Sequence, residues 1–249
     1  MPQLFPDALG RALVAHSVGR SLRRSFDSIA VAGDLPRGGA VLASTHSSWW
    51  DGYVLAALAG AVGTRPAVMM TARRLAAFPF LRLVGAVDTG GARDLVRAAA
   101  AGRWAVVFPE GELQPRGRLA PLHPGAAWVA RTAGAPLVPV ALAVVTRGAP
   151  QPEVLVRMGQ PLSTGPRGTT SSDVAALTTA LAERLRQESA RLADDVAAAH
   201  PEHPVPGYRV LLHGTSRRRD SVGWAVRALA WLTGVPSRRE PAPTDRCPR

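Results

Sequence analysis

Apolar positions recur in two rhythms along this chain. Phe5, Leu9 and Leu13, then Val14, Val18, Leu22 and Phe26, fall at helical spacing, with Arg11, Arg20, Arg23 and Arg24 among them. That pattern predicts an amphipathic helix within residues 4–26, either packed on the domain or lying in a membrane interface. Short apolar runs bounded by Gly and Pro predict strands within 28–36, and at 40–45, 66–71, 86–89, 104–108, 136–145 and 153–159. Between them, helical periodicity predicts helices at 51–60, at 72–85 with an interruption at Pro79, at 92–102 closed by Gly102, and at 123–134. A longer helix over 173–199 carries Val174, Leu177, Leu181, Leu185, Leu192 and Val196 on one face. Strands alternating with helices predict an α/β fold, a sheet layered by helices. The expected division is an N-terminal helix at 1–26, one domain at 27–216, an amphipathic C-terminal helix at 217–236 and a tail at 237–249.

Composition narrows this picture modestly. The net charge is +12, and all 30 basic residues are arginine. Such a charge favours an anionic partner: nucleic acid, a lipid surface or a phosphorylated substrate. A GC-rich coding bias toward Ala, Gly, Pro and Arg explains the same excess. No apolar run reaches the roughly 18–20 residues that a membrane span needs. The segment carrying Trp224, Ala228 and Trp231 is too short to cross and is expected to pack on the core or lie at an interface. The first residues do not read as a signal peptide. The single cysteine, Cys247, sits in the tail and excludes an intrachain disulfide or a cysteine metal cluster. A cytoplasmic setting is the default, and no nucleic-acid motif is recognisable.

Candidate chemistry begins at "THSSWWDG", residues 45–52. His46 follows a predicted strand and Asp51 opens a predicted helix. At a strand's carboxyl end a side chain can project into the crevice where α/β proteins bind ligands. Asp51 could orient the imidazole and stabilise its protonated form, or bond helix amides as a cap. No G-x-S-x-G accompanies the pair, so a nucleophile supplied by the substrate, such as a hydroxyl, fits best. "VVFPEGELQPRG" (106–117) ends a predicted buried strand in Phe108, Pro109, Glu110 and Gly111. Glu110 would share the crevice with His46, or stand as a solvated acid in a tight turn. Arg73, Arg74 and Arg82 could reach a phosphate or simply solvate a helix face.

Each segment is weak alone; their order is specific. H-x4-D, an R-x-L…F-P…G-A-V-D block, F-P-E-G about sixty residues on, and then P-L-V-P-V resemble the lysophospholipid/glycerolipid acyltransferase family, from about Gly33 to Gly159. The resemblance implies a mixed, mostly parallel sheet layered by helices. It implies that His46 acts as general base with Asp51, activating an acceptor hydroxyl against an acyl thioester of coenzyme A or acyl carrier protein, with no further cofactor and no metal. It assigns the block from Arg73 to Thr89, with Arg73, Arg74 and Arg82, to acceptor binding, Phe108, Pro109, Glu110 and Gly111 to the acceptor's phosphate-bearing end, and Pro136 to Pro139, Pro139 among them, to the acyl side. It also implies a lipid acceptor and peripheral association with the inner face of the cell membrane. Two departures bear on the acceptor. The family continues F-P-E-G with T-R, whereas this chain has Glu112 and Leu113; Arg116 or Arg118 would have to substitute. Arginine, at Arg73 or Arg74, stands where lysine often opens the acceptor motif. A lysophospholipid-type acceptor is therefore weighed against a glycolipid or glycosylated isoprenoid, and against a catalytically inactive membrane-binding protein.

Overall fold

A computed structural model of the chain describes residues 7–165, 170–215 and Leu232. It contains one eight-stranded sheet, β1 Ser28–Ala32, β2 Ala40–Ser44, β3 Pro66–Met70, β4 Ala86–Asp88, β5 Trp104–Val107, β6 Leu137–Val145, β7 Glu153–Met158 and β8 Arg209–His213. The spatial order is β4-β3-β5-β2-β6-β7-β1-β8. The β1–β8 and β6–β7 pairs are antiparallel and the other five neighbouring pairs are parallel. The sheet is thus mixed and mostly parallel.

Its helices are α1 Asp7–Ser25, α2 Asp51–Ala61, α3 Ala72–Ala77, α4 Ala92–Ala100, α5 Gly125–Ala133 and α6 Ser171–Ala198. Both faces of the sheet are covered, which is why β1, β2 and β5 are buried at every position and apolar except for Ser28 and Ser44 at strand ends. The period-two rule divides them. Ala40 and Leu42 point into a core shared with Leu22, Phe26 and the α2 residues Val54, Leu55 and Leu58. Val41 and Ala43 point into the opposite core, formed with Leu95 of α4, Val129 of α5 and Leu181 and Leu185 of α6. Burying one such leucine completely contributes about 2 kcal/mol.

Three features differ from the sequence expectation. First, the helix expected over 72–85 stops at Ala77, and Pro79–Val84 forms a 3-10 turn with proline in its first position. Gly85 then adopts φ 97°, and a Cβ there would sit 2.1 Å from the Pro66 carbonyl oxygen. Only glycine lets the chain reverse so close to β3. Second, β8 falls where the pattern predicts no strand. Its alternation is weak because it is an edge strand with exposed ends. Third, α1 divides along its length. Leu22 is wholly buried, as is nearly all of Phe26 just past its end, whereas Leu9 and Leu13 are exposed. The expected C-terminal helix and tail lie outside the described residues, apart from Leu232.

The topology sets up a crevice. The chain runs outward through β2, β3 and β4, returns to insert β5 between β3 and β2, and then places β6 on the other side of β2. The carboxyl ends of β4, β3, β5 and β2 lie side by side, and every segment singled out above, except the β6 strand, leaves the sheet there.

Candidate active site

Beyond β2, Thr45 stays tied to β6. Its amide donates to the Val140 carbonyl at 3.0 Å, and its hydroxyl accepts from the Leu142 amide at 3.1 Å. His46 follows at the strand mouth. The Asp51 carboxylate, wholly buried in the first turn of α2, curls back over the intervening loop. Its Oδ2 lies 2.9 Å from His46 Nδ1 and accepts from the Ser47 and Ser48 amides, each at 2.9 Å. Both readings of Asp51 therefore meet in one oxygen, except that the amides it holds belong to the loop before the helix. Oδ1 is buried with no hydrogen-bond partner. With Nδ1 engaged, Nε2 is the imidazole nitrogen left to face a ligand, since no hydrogen bond reaches it among the described residues. A carboxylate on Nδ1 fixes that tautomer.

Phe108, one residue past β5, stacks on the His46 ring at 4.2 Å between centroids and 24° between planes. Glu110 is 4% exposed and turns inward. Its Oε1 accepts from the His46 amide at 3.0 Å and its Oε2 from the Ala120 amide at 3.1 Å. Burial raises its pKa from the ordinary value, and those two amide bonds offset part of the rise. Glu110 thus ties the His46 loop to the segment after F-P-E-G. Gly111, at φ 77°, turns the chain back toward the crevice. A Cβ there would meet the His123 ring at 3.1 Å.

Beside these residues lies a cavity of about 470 Å³. His46, Phe108 and Gly111 form one side. Val68, Met69, Leu81, Val84 and Ala86 make much of its lining apolar. Arg74, Thr71, Thr89 and Glu112 are the polar contributors besides His46 and Tyr53. Of the expected site residues, His46, Arg74, Phe108 and Gly111 line this space. Asp51 supports it from behind. Arg73 is exposed off the lining, and Arg82 pairs with Asp88 at 3.3 Å. Pro109 and Glu110 are buried beneath the turn. Pro139 is buried within β6, opposite Ala43 and beneath Gly159. Among the described residues no group of three His, Cys, Asp or Glu side chains is placed to hold a metal.

The two tryptophans separate. Trp50 packs edge-on against Phe26 at 5.5 Å on the core side, while Trp49 is 43% exposed on the cavity wall. Tyr53, absent from the sequence-derived site, sits 4.7 Å from Trp49. No helical periodicity links them, because Trp49 lies in the turn before α2. Burial raises the Tyr53 pKa, and nearby Arg74 counters part of this. Met69 and Met70, which the pattern places in a strand, both reach the cavity.

The structure thus defines an α/β protein in which a buried carboxylate holds a histidine at the wall of a largely apolar cavity. Residues 28–143, a little under half of the chain, match the family model described as Acyltransferase. The segment includes His46, Asp51, the Arg73–Arg82 block and the F-P-E-G turn. In three dimensions the chain is similar to the crystal structure of the 1-acyl-sn-glycerophosphate (LPA) acyltransferase, PlsC, from Thermotoga maritima, with a TM-score of 0.55 and 17% identity. The similarity covers 76% of this chain and 84% of that one, and at this identity it speaks to the fold. No curated protein matches the chain by sequence.

Proposed function

We propose that this chain transfers a fatty acyl group from the thioester of acyl-CoA or acyl carrier protein to a hydroxyl of a lysophospholipid-type acceptor. The observation that carries this reading is His46 on the wall of an apolar cavity, its Nδ1 held 2.9 Å from buried Asp51. His46 Nε2 takes the hydroxyl proton as the acceptor oxygen attacks the thioester carbonyl carbon. The C–S bond then breaks, and the departing thiolate takes that proton from the imidazolium. Asp51 stabilises the imidazolium while it exists. Phe108 limits tilting of the ring, and Glu110 fixes the backbone from which it projects. The apolar lining suits an acyl chain. No metal or bound cofactor enters the scheme.

The test is transfer from long-chain acyl-CoA to a panel of lysolipids, comparing wild type with His46→Ala. The variant is expected to lose at least a hundredfold in kcat/KM. Equal rates would remove the base assignment.

Peripheral contact with the inner face of the cell membrane belongs to the same proposal. No helix among the described residues is long and apolar enough to cross a membrane. Leu9 and Leu13 on α1, with Phe80 on the 3-10 turn that α1 packs against, are large apolar side chains left exposed. Trp49 and Leu113 are exposed on the cavity itself. Flotation with anionic liposomes is expected to weaken in a Leu9→Ser/Leu13→Ser variant. Unchanged flotation would dismiss α1 as the contact.

A further inference from the structure

The structure assigns Glu112 as a specificity residue that selects acceptors with a net-neutral headgroup over phosphomonoesters; this rests on the acyl-transfer reading above. Five arginines were candidates to neutralise an acceptor phosphate, and the fold brings one of them, Arg74, to the cavity. Arg73 and Arg118 are exposed off its lining, and Arg82 is paired with Asp88. The Arg116 guanidinium points toward the Val144 carbonyl, 3.5 Å away. Glu112, by contrast, lines the cavity.

Its place on that wall is fixed by the backbone on either side. The Gly111 amide donates to the Phe108 carbonyl at 3.0 Å, and the Gln114 amide donates to the His46 carbonyl at 2.8 Å. Glu112 is therefore strung between two tethers to the strand ends that carry Phe108 and His46. Arg74 and Glu112 are the Arg and Asp/Glu residues on the lining, one of each formal sign, and no ion pair joins them among the described residues. With His46 neutral, the formal charge of the wall sums to zero. A phosphomonoester carries about −1.5 to −2 at neutral pH. It would meet one cation and one like charge. A zwitterionic head can place its phosphate on Arg74 and its ammonium on Glu112. A neutral polyol head can donate hydroxyls to Glu112 without charge conflict. One carboxylate in a half-solvated wall changes the affinity for a nearby charge by about tenfold.

The experiment compares three acceptors of equal chain length: a monoacyl glycerol 3-phosphate, a monoacyl phosphocholine and a monoacyl glycoside. Rates are measured for wild type, Glu112→Gln and Glu112→Arg, and equilibrium binding is measured on His46→Ala with and without Glu112→Gln. Wild type is expected to prefer the two net-neutral acceptors by tenfold or more, in rate and in binding. Glu112→Gln is expected to close most of that gap, and Glu112→Arg to reverse it. Adding Arg74→Gln separates the two neutral classes: it weakens the phosphocholine lipid and spares the glycoside. A wild-type preference for the phosphomonoester, or a preference unchanged within twofold by Glu112→Gln, overturns the assignment. If no acceptor is acylated, the transfer reading fails by itself, and the binding order still decides the role of Glu112. Because Glu112 is exposed, both substitutions are expected to keep the wild-type melting temperature within a few degrees.

Discussion

Replacing Asp51 by asparagine separates the two services that its carboxylate performs. Oδ2 receives three donors, from His46 Nδ1 and the Ser47 and Ser48 amides, all at 2.9 Å. An asparagine whose carbonyl occupies that position keeps all three bonds and keeps the imidazole tautomer. Its NH₂ group then falls where Oδ1 is buried without a partner. A buried donor left unpaired costs about 1–3 kcal/mol. The opposite amide orientation is worse, because it points N–H groups at two backbone N–H groups and turns Nδ1 into an acceptor, which removes the base from Nε2. The structural cost is therefore about 1–3 kcal/mol, a drop in melting temperature of roughly 2–12 °C for a chain of this size.

The chemical cost is separate, because asparagine carries no charge to stabilise the imidazolium formed during proton transfer. Loss of assisted base catalysis is expected to lower kcat/KM by about 10² to 10⁴, or roughly 3–5 kcal/mol of transition-state stabilisation. The assay is initial-rate release of free CoA thiol with a saturating acceptor, at a temperature where a parallel melt shows the variant folded. The fall is expected in kcat, with KM for the acceptor nearly unchanged. A folded Asp51→Asn enzyme that keeps more than a tenth of wild-type kcat would refute the dyad reasoning.

Glu110→Gln is expected to destabilise the fold by about 1–3 kcal/mol, since its NH₂ group must face one of two backbone donors; thermal melts check this. The sign of the pH effect follows from burial. The fold raises the Glu110 pKa above its ordinary 4.5, so the native state retains a proton that the unfolded chain has released. Wild-type stability from this group is greatest below about 4.5 and is lost as pH rises from there through the raised value. The stability gap between wild type and Glu110→Gln should therefore shrink as pH rises through that window, and denaturant titrations showing it widen would contradict the assignment. Gly85→Ala combines a strained φ of 97° with a clash at the Pro66 carbonyl, and is expected to cost more than about 3 kcal/mol and to lower soluble yield sharply. Phe108→Ala removes the ring stacked on His46 and is expected to lower kcat/KM by about tenfold or more, with the larger part in kcat.

The order of motifs was legible because the topology preserves adjacency. His46, the Thr71–Arg74 turn, Thr89 and Phe108 follow β2, β3, β4 and β5, which are contiguous in the parallel part of the sheet. Residues about sixty positions apart therefore meet, and linear spacing stands in for geometry. Burial on both faces also made β2 and β5 readable, because every position but Ser44 is apolar. Where that redundancy ends, so does legibility. β8 lies at an edge, with both end residues exposed and the three between them half-buried, and leaves little period to detect. Asp51 offered two readings because a carboxylate can accept several donors, and the structure shows amide and imidazole sharing one oxygen.

Side-chain direction was the part that pattern could not supply, and Glu110 and Glu112 show why. They stand two positions apart in one motif, and alternation along a strand would point them the same way. The strand has already ended at Val107, however, and Gly111 turns the chain through positive φ between them. Glu110 is carried under the turn, where two amides claim it. Glu112 emerges on the cavity wall. The acid that matches the family motif therefore serves the backbone beneath His46, and the acid that departs from it is the one a substrate would meet. A turn centred on a single glycine decides which carboxylate faces the cavity, so a motif match at Glu110 transfers the fold of this loop more securely than it transfers a contact.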